Sequence, residues 1–282
     1  MVHSKTFLER AIVIESANQP RGQGDSEDDV LVARGLLGIF DSVGGRDRGR
    51  LVSHLAGNIV SSAWQSLSDH ERQGPPEQLE VVLGMLLRKA DTAIASLEIP
   101  PEQRRPATVA ALCAYAVQQG QAFLSVAHVG DSRIYLLREG QPLQRLTKDH
   151  GYFSFAVRRG LLAEEEALRI EQAERVEELS AGDLAHFTRR NEITCAIGWS
   201  DFPHIPASSR PFLPGDCILL CTDGVHDNLA DREIEEHLRM SKASGAHQLV
   251  HAAYERSQTN HLRAKRDDIS ALVAWYPALT PE

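Results

Sequence analysis

The chain has 282 residues, of which 42% are hydrophobic and 24% are charged, as expected for a globular protein with a sizeable core. Its formal net charge of −9 argues against binding to nucleic acid through the phosphate backbone. No apolar run approaches the roughly 20 residues that span a bilayer, which excludes a membrane-spanning role. Three of the four cysteines lie inside apolar runs, which predicts buried, reduced thiols and a cytoplasmic location.

Seven apolar runs of strand length follow one another along the chain. They are RAIVIES (10–16), GLLGIF (35–40), TVAALCAYAV (108–117), AFLSVAHVG (122–130), RIYLLRE (133–139), DCILLCT (216–222) and ISALVAWY (269–276). The short, glycine-containing turn QQGQ (118–121) joins two of them, and such turns favour antiparallel pairing over βαβ winding.

Helical periodicity separates these runs. Two amphipathic segments, 46–67 and 77–97, are divided by the helix-breaking QGPP, and further helical patterns occupy 155–178, 231–240 and 244–257. This order of elements predicts an α+β fold in which helices cover the faces of the sheets. With no repeat or linker, we expect a single domain over 1–282.

The acidic segment 151–192 lies between two strand regions and has a weaker amphipathic pattern. Two interpretations are open: a solvated surface insertion, or a flap beside a functional site.

Aspartates recur where apolar runs end or begin. Asp41 and Asp223 close two runs, Asp131 lies in the turn between two others, and Asp267 and Asp268 precede the last. Each alone has a structural explanation, because an aspartate caps the backbone of a turn. Together, carboxylates at adjacent strand ends would repel one another unless a cation lay among them. Oxygen ligands suit Mg²⁺ or Mn²⁺, and two such ions about 4 Å apart can activate water.

These aspartates lie in sequence blocks that together resemble the protein phosphatase 2C family of metal-dependent phosphoserine and phosphothreonine phosphatases. The blocks occur in the family's order: SEDD (26–29), GIFDSVGG (38–45), PATVA (106–110), VAHVGDSRIYLL (126–137), RLTKDH (145–150), ITCAIG (193–198), PGDCILLCTDGVHDNL (214–229) and RDDIS (266–270). The resemblance covers about residues 10–276, and the segment FAVRRGLLAEEEA is similar to the flap of bacterial members.

The resemblance implies a four-layer α-β-β-α sandwich, with two mainly antiparallel sheets flanked by antiparallel helix pairs and two metal ions at one end. It implies that Asp41 bridges the ions and that the backbone carbonyl of Ser42 ligates one of them. Asp223 and Asp267 would ligate the other ion. The family's usual Asp-Asn pair is Asp-Asp here, and the ligand role is assigned to Asp267 rather than to Asp268.

The resemblance also implies roles outside the two core ions. Asp131 matches a third metal position of bacterial members, and Asp227 is a further candidate for it. Glu27 and Asp28 match the pair that orients water in the site and are counted with the catalytic residues.

Three positions depart from the family pattern. Ser42 replaces the usual glycine after the bridging aspartate. The arginine that usually binds phosphate is Gln23, which leaves Arg21 as the nearest candidate for phosphate binding. Val43 stands where many eukaryotic members have a proton-donating histidine; His226 could take that role, although a surface or capping histidine is the favoured interpretation.

Three functions therefore compete. The first is a serine/threonine phosphatase using two Mg²⁺ or Mn²⁺ ions, with a candidate third, on phosphorylated targets of a Ser/Thr kinase. The second is a pseudophosphatase that binds phosphoproteins without turnover, and the third is a hydrolase of small phosphate esters. For the phosphatase we expect a monomer with neither nucleic-acid nor membrane partners.

Overall fold

The computed structural model describes residues 8, 11–43, 49–99, 106–199, 205–241 and 244–278. Its ten strands form two five-stranded sheets in which every pair of neighbours is antiparallel. Sheet 1 has the order β1 (Val13–Gln19), β10 (Ile269–Trp275), β9 (Cys217–Cys221), β6 (Arg133–Leu137) and β7 (Gln144–Arg145). Sheet 2 has the order β2 (Asp29–Ala33), β3 (Leu36–Val43), β4 (Ala107–Gln118), β5 (Gln121–Val129) and β8 (Ala207–Pro211).

The central strands are buried on both faces, which explains why they are apolar throughout rather than alternating. In β9, Ile218 and Leu220 point into the core between the sheets, whereas Leu219 packs against the helices outside sheet 1. In β4, Leu112 packs against the helices outside sheet 2, while the thiol-bearing Cys113 enters the inter-sheet core.

Helices cover both outer faces and complete the four layers. The layer on sheet 2 consists of α1 (Gly49–Ser66), the short α2 (Asp69–Arg72) and α3 (Pro76–Ala95). The layer on sheet 1 contains the short α7 (Asp223–His226), α8 (Asp231–Ser241) and α9 (Gly245–Ser257). The predicted α-β-β-α sandwich is therefore confirmed. The helix predicted over 46–67 starts at Gly49 in the described part of the chain, and residues 44–48 lie outside it.

Three strands were not predicted, and none of their residues is fully buried. β2 is only partly buried, β8 reads ASSRP, and β7 has two residues. All three lie at sheet edges, where a strand has only one neighbour. The first strand runs three residues later than RAIVIES indicates.

The predicted helix over 155–178 is wrong as a single element. The chain instead forms α4 (Tyr152–Arg158), α5 (Glu164–Glu171) and a 3₁₀ turn at Val176–Glu178, followed by the unpredicted α6 (Ala181–Phe187). Gly160 separates α4 from α5 in a left-handed conformation, φ 70°, which ends a helix. The segment 151–192 has an apolar cluster of its own that includes Tyr152, Ile170 and Phe187, so it is a packed unit.

All four cysteines are buried free thiols, as predicted. Among the described residues, no helix has the length and apolar character needed to cross a bilayer.

Candidate metal centre

Asp41 near the end of β3 is the centre of a group of carboxylates. Burial raises the pKa of its carboxyl well above the usual range, and the charges of Asp28, Asp223, Asp267 and Asp131 raise it further. The strand ends therefore bring together carboxylates that are far apart in sequence. The hydroxyl of Thr108 on β4 donates a hydrogen bond of 2.7 Å to the backbone carbonyl of Asp41 and fixes this end of the strand.

Glu27 lies beside Ser42. The Ser42 hydroxyl donates to Glu27 Oε2 at 2.9 Å, so the serine that replaces the family's glycine makes a contact of its own. Gly49 lies close to this pair: a Cβ there would lie 2.7 Å from Glu27 Oε2, so any larger residue would push the Glu27 carboxylate aside.

Asp28 is buried deeper in the same region. Its Oδ2 accepts hydrogen bonds from the hydroxyls of Thr222 at 3.1 Å and Ser270 at 2.7 Å. Its Oδ1 is buried with no hydrogen-bond partner among the described residues. Burial, with the charges of Asp268 and Asp223, raises the pKa of Asp28 to about 7. An unpaired buried oxygen of this kind is suited to holding a water molecule or a metal-bound group.

Asp268 organises the loop before β2. Its two carboxylate oxygens accept the backbone N–H groups of Arg21 at 2.6 Å and of Glu27 at 2.7 Å. Both oxygens of Asp268 are thus used to position the loop, and the ligand role of Asp267 stays a prediction. The side chain of Arg21 is exposed, and its phosphate-binding role stays a prediction.

Asp223, Asp227 and Asp267 meet around a lysine that the sequence interpretation missed. The Lys265 ammonium contacts Asp223 Oδ2, lies 2.9 Å from Asp227 Oδ2 and lies 3.1 Å from Asp267 Oδ2. Burial raises the pKa of Asp223 to about 6 although Lys265 opposes this rise. The only available signal was a lysine two positions before Asp267.

The two candidates for a third metal position lie beside this lysine but differ in charge balance. Burial and the charges of Asp223 and Asp149 raise the pKa of Asp131 well above its usual range. Burial acts on Asp227 in the same direction, but Lys265 and nearby cationic groups outweigh it and lower the pKa of that carboxyl.

His226 is buried, so of the two favoured interpretations the surface histidine is wrong, whereas its contact with the backbone of a turn is that of a capping histidine. Its Nε2 donates a 3.0 Å hydrogen bond to the backbone carbonyl of Asp131. Burial, together with the charge of Arg133, lowers the pKa of His226 to about 3, so the ring is neutral at pH 7 and is a poor proton donor. Its role is to position the turn that carries Asp131.

The donor set fits hard divalent cations in its chemistry. The converging groups are carboxylates, and Asp28 Oδ1 and Asp223 Oδ1 are buried without hydrogen-bond partners among the described residues. Within the same ranges, no three His, Cys, Asp or Glu side chains already form a closed ligand set. The carboxylates do not form a closed ligand set because three of them are oriented toward the Lys265 ammonium.

Two family sequence models match the chain. The one described as protein phosphatase 2C matches residues 9–178, and the one described as stage II sporulation protein E matches residues 185–277. The serine/threonine protein phosphatase PstP of Mycobacterium tuberculosis strain H37Rv is 30% identical over 242 residues, which are 84% of this chain and 41% of that protein. The serine/threonine phosphatase stp of Listeria monocytogenes is 27% identical over 207 residues, 72% of this chain and 71% of that protein. The chain thus spans less than half the length of PstP.

Solved structures agree with the observed architecture. The PstP/Ppp phosphatase of M. tuberculosis superposes with a TM-score of 0.73 at 26% identity, covering 94% of this chain and 99% of that one. The catalytic domain of PstP in complex with two manganese ions gives a TM-score of 0.67 at 27% identity, covering 93% and 98%. Stp1 of Staphylococcus aureus, at 20% identity, shares the fold with a TM-score of 0.73 and coverage of 99% and 98%.

Proposed function

This chain belongs to the protein phosphatase 2C family, and on that premise we propose that it hydrolyses phosphoserine and phosphothreonine in proteins at a centre of two divalent ions. One observation carries the proposal: carboxylates from distant parts of the chain converge on Asp41. Carboxylates this close repel one another, and a bound cation would offset that repulsion. The two manganese ions in the related PstP catalytic domain support such an arrangement.

Asp41 would hold both ions, Ser42 would contribute its carbonyl to one of them, and Asp223 and Asp267 would hold the other. Mg²⁺ or Mn²⁺ in this position supplies Lewis-acid activation of water and neutralises phosphate charge. Asp131 and Asp227 form the proposed third position.

The remaining residues act on water and on the substrate. Asp28 would offer its unpaired Oδ1 to a water molecule, while its Oδ2 is held by two hydroxyl groups. Glu27 completes the pair and is itself oriented by Ser42. Arg21 is the proposed phosphate contact at the rim.

The substrates would be phosphorylated targets of a Ser/Thr kinase, and we expect the enzyme to act as a monomer. The buried free thiols support a cytoplasmic location. The segment 151–192 would form the flap, since it lines a cavity together with Asp131.

The test uses a phosphothreonine peptide with Mn²⁺, with EDTA, and with the variants Asp41→Ala and Asp223→Ala. Phosphate release should require Mn²⁺ and fall by about 100-fold or more in both variants, because each loses a ligand to an ion. Glu139→Ala, in an exposed turn, is the matched control and should keep full activity. Peptide binding without phosphate release in the wild type would contradict the proposal.

A further inference from the structure

Lys265 places a positive charge inside the predicted metal centre. Its ammonium lies within 3.1 Å of Asp227 and Asp267 and also contacts Asp223. Two of these three acids, Asp223 and Asp267, are the predicted ligands of one core ion. The same oxygen atoms therefore face a cation that belongs to the chain.

The position of this lysine is fixed by the fold. Asn228 is buried, accepts the backbone N–H of Lys265 at 3.0 Å and donates to its backbone carbonyl at 3.0 Å. The Lys265 side chain is only 18% exposed, in contrast to an ordinary surface ion pair. The fixed backbone of Lys265 therefore places its ammonium among the three carboxylates.

The positive charge of Lys265 offsets the repulsion among the three acids. The Lys265 ammonium contacts an oxygen of each of the three acids, Asp223, Asp227 and Asp267. Without that positive charge, three adjacent carboxylates would repel one another, and the side chain of Asp223 is only 14% exposed.

We propose that the Lys265 ammonium is a tethered cation that competes with one divalent ion for Asp223 and Asp267. This inference rests on the proposed function and concerns the control of the same site. In the metal-free chain the ammonium holds the three acids together. Entry of the ion requires the ammonium to move away, so that one ion position has a lower affinity than the carboxylates alone would give it. The position formed by Asp41 and Ser42 is not in contact with Lys265 in the described structure and keeps its affinity.

The direct test measures Mn²⁺ binding by isothermal titration calorimetry, without substrate. Lys265→Met keeps the length of the side chain and removes the charge, and we expect it to lower the Kd of one Mn²⁺ ion by at least about tenfold. Arg266→Met is the matched control, because it removes the same charge from the exposed neighbouring residue and should change that Kd by less than about twofold. Equal Mn²⁺ affinity in the wild type and Lys265→Met would overturn the inference.

Folding provides the second measurement. Lys265→Met and Lys265→Gln should melt at a lower temperature than the wild type in EDTA, and saturating Mn²⁺ should remove that difference, since the ion takes over the role of the ammonium. A variant that stays unfolded even in saturating Mn²⁺ would contradict the inference, because ion and ammonium would then not be interchangeable.

The two proposals fail in different ways. If the wild type binds Mn²⁺ and releases phosphate while Lys265→Met binds Mn²⁺ no more tightly, only the tethered-cation inference fails. If Lys265→Met binds Mn²⁺ more tightly and neither protein releases phosphate, only the phosphatase function fails. Absence of Mn²⁺ binding in both proteins would reject both.

Discussion

Gly224 shows why a glycine follows the aspartate at the end of β9. A Cβ at this position would overlap the backbone carbonyl oxygen of Asp268 and lie 3.0 Å from the Cα of Ile269. The contact involves backbone, which cannot rotate away. Gly224 therefore lets the short helix that begins at Asp223 lie close against the start of β10, where Asp223 and Asp267 both contact Lys265.

We predict that Gly224→Ala lowers the free energy of unfolding by about 3 kcal/mol, because the backbone of one strand must shift. Denaturation in urea measures the change. Gly84→Ala is the control: no heavy atom lies within 4 Å of the added Cβ, and the substitution in the interior of α3 should stabilise by up to about 1 kcal/mol. A Gly224→Ala protein as stable as the wild type would contradict this description of the contact.

His150 should make the protein sensitive to acid. Its Nδ1 accepts the backbone N–H of Gly130 at 3.2 Å, and its ring stacks on His128 with centroids 4.9 Å apart. Burial, with the charge of His128, lowers the pKa of His150 from 6.5 to about 4. The unfolded chain binds more protons in this range, so stability is present above pH 6.5 and is lost as the pH falls toward 4.

The expected loss attributable to His150 is on the order of 2 kcal/mol between pH 6.5 and 4, measured by urea denaturation at a series of pH values. His150→Asn can still accept from Gly130 but does not titrate, so its stability should fall less over the same range. An identical pH dependence in both proteins would show that other groups are responsible.

At the scale of elements, the predicted strands are those buried on both faces. A continuous apolar run such as CILLC in β9 is typical of a strand that is covered on both faces. The edge strand ASSRP was missed because its pairing with β5 depends on backbone hydrogen bonds, which leave little trace in the sequence. The single helix predicted over 155–178 failed because its apolar residues pack within a small separate cluster rather than along one stripe.

The segment 151–192 is attached to the sandwich by buried charged groups. Glu171 at the end of α5 contacts Arg133 of β6 and lies 3.1 Å from Arg145 of β7. Arg133 is also paired with Asp149 at 2.6 Å. Removal of one partner from such a buried group leaves a desolvated charge behind.

We therefore predict that Glu171→Gln loosens this segment while the sheets stay intact, with a local loss on the order of 3 kcal/mol. Hydrogen–deuterium exchange should increase in peptides from 152–187 and stay unchanged in β9 and β10. Glu166→Gln, an exposed position on the same helix, should leave the exchange of both regions unchanged. Uniform acceleration throughout the chain would indicate global destabilisation instead.

At the scale of the whole molecule, the candidate centre joins the two sheets. Asp41 belongs to sheet 2, whereas Asp223 and Asp267 flank β9 and β10 of sheet 1. The sequence could predict these acids because each ends or precedes an apolar run. It could not predict Lys265 among them, because the reach of a long side chain depends on the turn held by Asn228.

A divalent ion shared by Asp41 and the acids of sheet 1 should stabilise the sandwich as a unit. At a Mn²⁺ concentration of 100 times Kd, one ion contributes about 2.7 kcal/mol, which corresponds to a rise in Tm of roughly 5–10 °C for a chain of this size.

The melting temperature of Asp41→Asn should differ from that of the wild type in both conditions. Without metal it should melt at a higher temperature than the wild type, because it removes a half-buried carboxyl that lies among other acids. With Mn²⁺ its Tm should rise by less than half as much as that of the wild type. Equal Mn²⁺-induced rises in the two proteins would mean that the ion does not connect the sheets through Asp41.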